Sequence, residues 1–136
     1  MNHVSSNRDG PHAGLSVLVV EDETLVAINL ESILEDLGHT VIGPVMRLDE
    51  LETMVDGGVE ADLAILDINL AGAEVFPQAE RLSGAGMPIV FTTGYGAKGL
   101  TGNWSEFPVI QKPYTADDIA EYLSRLKASE PVSVGS

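Results

Sequence analysis

At 136 residues the chain suits one domain, and with no cysteine it excludes a disulfide framework or a thiolate metal site. Against 7 basic residues stand 21 acidic ones, and the net charge of −14 repels phosphate backbones, arguing against direct nucleic-acid binding and for a basic partner surface or a bound cation. No apolar run approaches the roughly 20 residues of a membrane span, and the N-terminus lacks an apolar signal core, so a soluble cytoplasmic protein without membrane insertion is expected.

Met1 to Gly14 is polar and has no period, which predicts a flexible arm whose His3 and His12 are solvated. Leu15 to Glu21 predicts the first strand. Val26, Leu30, Ile33, Leu34 and Leu37 recur at helical spacing, predicting an amphipathic helix over Thr24 to Leu37 with Gly38 as its stop. Thr40 to Val45 predicts the second strand, with Pro44 at its end or on an edge. His39 precedes it and has no assigned role. Leu48, Leu51 and Val55 predict a shorter helix closed by Gly57 and Gly58. Leu63 to Asp67 joins four apolar residues to one carboxylate between turn signals, the pattern of a strand buried on both faces.

Asn69 to Glu74 is expected as a loop. Pro77 with Val75, Ala79 and Leu82 predicts a third helix that ends before Gly84. Pro88 to Phe91 opens the fourth strand. The next stretch, Gly94 to Glu106, carries Gly94, Gly96, Gly99 and Gly102, and each glycine costs a helix about 1 kcal/mol relative to alanine, so a fourth helix there is expected to be short, irregular or absent. Its Trp104 reads as a partner contact or as a side chain packed over a thinned helix. Phe107 to Gln111 predicts the fifth strand. Thr115 with Asp118 is a capping box with Asp in place of Glu, opening a last helix that turns Ile119 and Leu123 to the core. The resulting organisation is an arm over 1–14, one domain over 15–128 and a flexible tail over 129–136.

Five strands alternating with helices predict an α/β fold with right-handed crossovers and a parallel sheet covered on both faces. Ligands of such sheets sit at the C-terminal ends of the strands. Those ends carry Glu21-Asp22-Glu23, then Asp67, then Thr92-Thr93-Gly94, then Gln111-Lys112-Pro113: acid, acid, hydroxyl and ammonium. Alone, the acidic run fits a helix N-terminus, where the dipole favours carboxylates, and Lys112 fits a surface lysine before a turn. Their meeting with Asp67 at one edge favours a site.

Four pieces, Val17-Leu18-Val19-Val20-Glu21-Asp22-Glu23, Leu66-Asp67-Ile68-Asn69, Thr92-Thr93-Gly94-Tyr95 and Gln111-Lys112-Pro113, resemble the receiver domain of bacterial two-component response regulators, in the family's order and at about its spacings. The resemblance covers roughly Ser16 to Lys127. It implies a doubly wound, flavodoxin-like five-stranded sheet in the order 2-1-3-4-5. Phe91-Thr92-Thr93-Gly94-Tyr95 also resembles a subgroup whose fourth strand ends in Phe-Ala-Thr-Gly-Tyr. Its members are often single-domain proteins, and a stand-alone receiver is expected here.

By that resemblance Asp67 is the phosphoacceptor, taking its phosphoryl group from a histidine kinase or a histidine phosphotransfer protein. Asp22 and Asp67 ligate Mg²⁺, with Glu21 through water and the backbone carbonyl of Asn69 as a further ligand; Mg²⁺ asks for such hard oxygen donors. Lys112 binds a phosphoryl oxygen, and Pro113 follows it through a bond that is commonly cis in the family. Thr93 supplies the switching hydroxyl, and Gly94 leaves the Asp67 side chain open. The family's switch aromatic aligns with Val109, so Tyr95 or an ordering of Gly94 to Glu106 is expected to replace it. With a receiver alone, signalling passes through contacts with a downstream protein, and the only catalysis is self-catalysed phosphoryl transfer and autodephosphorylation at Asp67.

Three other classes compete. A small aspartyl-phosphate phosphohydrolase commonly carries an acid two positions after the nucleophile, where this chain has Asn69. A nucleotide- or flavin-binding domain needs a glycine-rich first turn, where this chain is acidic. A receiver fold serving as an unphosphorylated scaffold has no need of the full acid, threonine and lysine set.

Overall fold

Runs of branched apolar residues alternate with runs of helical period. The structure, a computed structural model describing residues 14–70, 73–94, 104 and 107–134, folds them accordingly. β1 (Ser16–Val20) leads through Glu21, Asp22 and Glu23 into α1 (Thr24–Asp36). β2 (Thr40–Val45), α2 (Leu48–Asp56) and β3 (Leu63–Asp67) follow. A short antiparallel hairpin of β4 (Asn69–Leu70) and β5 (Ala73–Glu74) precedes α3 (Phe76–Gly84). β6 (Ile89–Thr93), β7 (Val109–Gln111) and α4 (Ala116–Val134) complete the described chain.

One parallel sheet runs in the order β2-β1-β3-β6-β7, which is 2-1-3-4-5 when only its own strands are counted: the doubly wound, flavodoxin-like arrangement. Alternation along each strand sends successive side chains to opposite faces. Val17, Val19, Leu63, Ile65 and Val90 pack against Leu30, Ile33 and Leu34 of α1 and Ile119 and Leu123 of α4. Leu18, Val20, Ala64, Leu66, Ile89 and Phe91 pack against Leu51 of α2 and Ala79 and Leu82 of α3. Each buried Leu, Ile or Val is worth about 1.5–3 kcal/mol over exposure, which is why the two layers hold without staples.

Local chemistry sets the boundaries. Gly38, at φ 95°, takes the left-handed turn that ends α1, and the next amide, His39 N–H, donates to Leu34 O at 2.9 Å. The capping box is present: Asp118 N–H donates to Thr115 Oγ1 at 3.1 Å, and Thr115 N–H donates to Asp118 Oδ2 at 2.9 Å.

Some expectations are corrected. Asn69 to Glu74 is not simply a loop, because its two ends pair as β4 and β5. The fifth strand begins at Val109 rather than Phe107. Helical backbone continues through Ser129 to Val134, where a tail is expected, because extending an existing helix adds one hydrogen bond per residue. The expected arm over 1–14, apart from Gly14, and the stretch from Gly94 to Glu106, apart from Gly94 and Trp104, lie outside the described residues. Trp104 packs on the domain: its ring centroid is 5.6 Å from Phe91, 5.6 Å from Phe76 and 4.8 Å from Phe107. Among the described residues no helix is long and apolar enough to cross a membrane.

Between Leu18 and Val20 the pairing of β1 with β2 shifts by one residue, and the extra residue is accommodated at Gly43. Gly43 has φ 105°, and a Cβ there would stand 2.6 Å from the Val45 nitrogen. Gly43→Ala is therefore expected to cost about 2 kcal/mol, lowering the urea midpoint at unchanged m. An unchanged midpoint would show that the β2 edge relaxes freely.

Candidate functional site

Parallel register collects the strand ends. Val20 pairs with Leu66, so Glu21 follows β1 level with Asp67 at the end of β3. Asp67 pairs with Thr92, and Thr93 pairs with Gln111, which puts Lys112 just beyond β7. The Lys112 N–H donates to Thr93 O at 2.8 Å and anchors the lysine to the end of β6. Carboxylate oxygens of Glu21, Asp22 and Asp67 all lie within 4.8 Å of one another, an oxygen-donor cluster that fits a small hard cation.

The Lys112 ammonium enters this cluster. Its Nζ lies 2.9 Å from Glu21 Oε1, 3.4 Å from Asp67 Oδ2 and 3.4 Å from Glu23 Oε1. The side chains of Glu21 and Asp67 are only 2% and 7% exposed, so their charges are taken largely out of water. Burial pushes the Glu21 carboxyl above its ordinary value; Lys112 and the Glu23 N–H, which donates to Glu21 Oε2 at 3.1 Å, pull back, and Asp67 adds to the rise. Burial pulls the Lys112 ammonium down, but the hydrogen bond to Glu21 and the charges of Asp67 and Glu21 outweigh it and leave it above its ordinary value.

A pocket of about 760 Å³ opens over the cluster. Asp22, Asp67, Thr93, Gly94, Lys112 and Pro113 line it, so most of the residues singled out from sequence meet here, and the Lys112–Pro113 bond is cis. Thr93 faces the pocket, whereas its neighbour Thr92 pairs with Asp67 and accepts the Ile68 N–H on its carbonyl at 3.0 Å. Val109 does not join them: it packs with Phe91 and Phe107 on the sheet face that carries α2 and α3. Asn69 opens β4 two residues past Asp67. Tyr95 lies outside the described residues.

Two participants escape a reading of the sequence. Glu23 reads as part of a helix N-terminus, yet its side chain makes no cap and turns to Lys112 instead. Tyr114 reads as an unremarked residue after Lys-Pro. Its ring is buried against the α1 and α4 layer and lines the pocket, and its hydroxyl has no hydrogen-bond partner among the described residues. Burial first, then the charges of Glu21, Asp67 and Glu23, push that phenol well above its ordinary value. The available signal was position: each lies within two residues of a residue already singled out.

No protein-family model matches the sequence. The chain is 31% identical over 112 residues to the phyllosphere-induced regulator PhyR of Methylorubrum extorquens, covering 80% of this chain and 42% of that protein. It thus spans less than half the length of that curated relative. The solution structure of SdrG from Sphingomonas melonis Fr1 is 38% identical, with a TM-score of 0.71 over 82% of this chain and 94% of that one. A structure of SdrG in its BeF3-activated conformation is 40% identical, with a TM-score of 0.70 over 82% of this chain and 95% of the other. The receiver domain of the Erythrobacter litoralis PhyR response regulator is 27% identical, with a TM-score of 0.72 over 85% of this chain and 92% of that one. With the sheet order, the strand-end residues and these relatives in agreement, the chain belongs to the receiver-domain family of response regulators.

Proposed function

We propose that this receiver is a phosphoacceptor in two-component signal transduction, taking a phosphoryl group onto Asp67 from the phosphohistidine of a sensor histidine kinase or a histidine phosphotransfer protein. The observation that carries this reading is the Lys112 ammonium seated 2.9 Å from Glu21 and 3.4 Å from Asp67 at the floor of an open pocket. An Asp67 carboxylate oxygen attacks phosphorus. A P–O bond forms as the P–N bond to the imidazole breaks, and the bonding pair leaves on the ring nitrogen. Such a transfer asks the protein mostly for positioning and charge neutralisation. Lys112, a point charge with three donors, exchanges carboxylate partners for a phosphoryl oxygen. Thr93 offers its hydroxyl from the neighbouring strand, and Gly94 leaves the approach open.

The carboxylates of Glu21, Asp22 and Asp67 fit Mg²⁺, which Asp22 and Asp67 would ligate directly, Glu21 through water and Asn69 through its backbone carbonyl. When bound, the ion supplies positive charge that the phosphoryl group needs beside so many acids. The adoption by SdrG of a BeF3-activated conformation supports a phosphoryl-dependent state here. Beside the pocket, Leu25 is 82% exposed and Ile28 54%, one turn of α1 that offers apolar surface to a protein partner. Output then runs through contact with a downstream protein in the cytoplasm, without nucleic acid, and external phosphomonoesters are not turned over.

Incubation with Mg²⁺ and acetyl phosphate is expected to add one acid-stable, base-labile phosphoryl group to the wild type and none to Asp67→Asn, read by intact mass. A chelator abolishes the label; equal labelling of both proteins removes Asp67 as the acceptor.

The cation also has a pH signature. In the folded protein Glu21 is held above its ordinary value of 4.5, mainly by burial, so it takes up its proton before an unfolded chain would. A raised carboxyl favours the metal-free fold as pH falls through that titration and disfavours it as pH rises. Mg²⁺ at ten times its Kd is expected to stabilise the protein by about 1.4 kcal/mol near neutral pH. That gain shrinks as pH falls toward 4.5, where the proton displaces the cation. Thermal unfolding with and without Mg²⁺ checks this; a gain independent of pH, or retained in Asp22→Asn, puts the ion elsewhere.

A further inference from the structure

We infer that Glu23 is a positioning residue that holds Lys112 at rest and sets the charge at the mouth of the pocket, so that the site discriminates against small anionic phosphodonors free in solution. This rests on the phosphoacceptor reading of the pocket and adds a residue to it. Glu23 occupies the N-cap position of α1 with extended backbone, φ −88° and ψ 115°, where a carboxylate ordinarily caps the helix. It makes no such cap. Its backbone N–H instead braces Glu21 Oε2 at 3.1 Å, while its carboxylate reaches Lys112 Nζ at 3.4 Å from the solvent side. That second contact is not explained by stability: the Glu23 side chain is 64% exposed, and exposed ion pairs contribute little to folding.

What Glu23 changes is the field. Three carboxylates, Glu21, Glu23 and Asp67, meet one ammonium, and Asp22 joins Glu21 and Asp67 in the same cluster, a local balance of 1 − 4 = −3. Glu21 and Asp67 are buried, so Glu23 is the acid of the Lys112 set that an arriving anion meets in solvent. A dianionic donor must approach against that charge, and Lys112 must leave Glu23 before it can take a phosphoryl oxygen. The penalty builds up while the anion is still about a Debye length away, about 10 Å at 0.1 M salt, so it is large at low ionic strength and fades as salt screens it. A donor delivered by a docked protein avoids most of the penalty, because binding energy away from phosphorus carries it in.

The test compares wild type, Glu23→Gln and Glu23→Asp with Mg²⁺ saturating. With acetyl phosphate at low salt, Glu23→Gln is expected to label about threefold to tenfold faster than wild type. Its rate should climb less steeply with added salt than the wild-type rate does, and Glu23→Asp should restore the wild-type slope. Loss of a cap or of helix packing would slow labelling without touching the salt slope. Equal salt slopes in wild type and Glu23→Gln overturn the proposal. A second readout does not depend on phosphorylation: the solvent exchange of the Lys112 ammonium protons, followed by nitrogen-15 NMR, is expected to rise at least about threefold in Glu23→Gln as one of three carboxylate partners is lost. Unchanged exchange overturns the role of Glu23 whatever the labelling shows. Faster exchange together with a wild type that refuses every phosphodonor keeps Glu23 as the residue holding Lys112 and overturns the phosphoacceptor reading instead.

Discussion

The structure around the pocket depends on one electrostatic constraint. Two carboxylates, Glu21 and Asp67, are buried at the C-terminal edge of the sheet, and among the described residues the cation that meets both is Lys112. Taking a charge out of water costs several kcal/mol even after relaxation, and removing one partner of a buried set costs about 3–5 kcal/mol. The three side chains come from just after β1, the end of β3 and just after β7, so their meeting ties three non-adjacent segments of the chain to one another. The same arrangement is poised for chemistry, since an ammonium shared among several carboxylates can pass to a better anion without being newly desolvated.

The sheet beneath supplies the precision. β3 is buried along its whole length and β6 is too, so Asp67 and Thr93 sit on backbone with little freedom. β7 is the edge strand, three residues long and only half-buried, and Lys112 follows it. The lysine therefore stands on the less constrained side of the site. Its backbone N–H, bonded to Thr93 O at 2.8 Å, keeps it in register all the same.

The opposite face bears on the site through packing. Phe91 lies two residues before Thr93 on β6, so both side chains leave the same face. Phe91 is enclosed by Phe76, Trp104 and Phe107, with ring centroids 5.5 to 6.0 Å away. Val109, where the family resemblance expects an aromatic, packs on this same cluster. Aromatic bulk missing from one strand position is thus present nearby, contributed by α3, by Trp104 and by Phe107. Aromatic contacts of this kind add about 0.5–1.5 kcal/mol each beyond the area they bury, enough to hold the end of β6 against the helical layer.

The sequence alone determined most of what is local or periodic. The four-residue apolar run before Asp67 and the helical recurrence of Leu30, Ile33 and Leu34 identify a strand and a helix, because side-chain period follows directly from backbone geometry. Thr115 and Asp118 marked a cap for the same reason: the partners are three residues apart. A resemblance carried by four short pieces then assembled Glu21, Asp22, Asp67, Thr93 and Lys112 into one candidate site, and the strand register brings those residues to one edge. What only the tertiary structure decided are contacts between residues far apart in the chain. Glu23 looks like a helix-start acid until Lys112, 89 residues away, is placed against it. Tyr114 looks ordinary until burial strands its hydroxyl beside the acids. Trp104 had two readings until Phe76 and Phe91 enclosed it. Each outcome depends on which side chains share a volume, and that is set by register and packing across the sheet, which spacing along the chain does not encode.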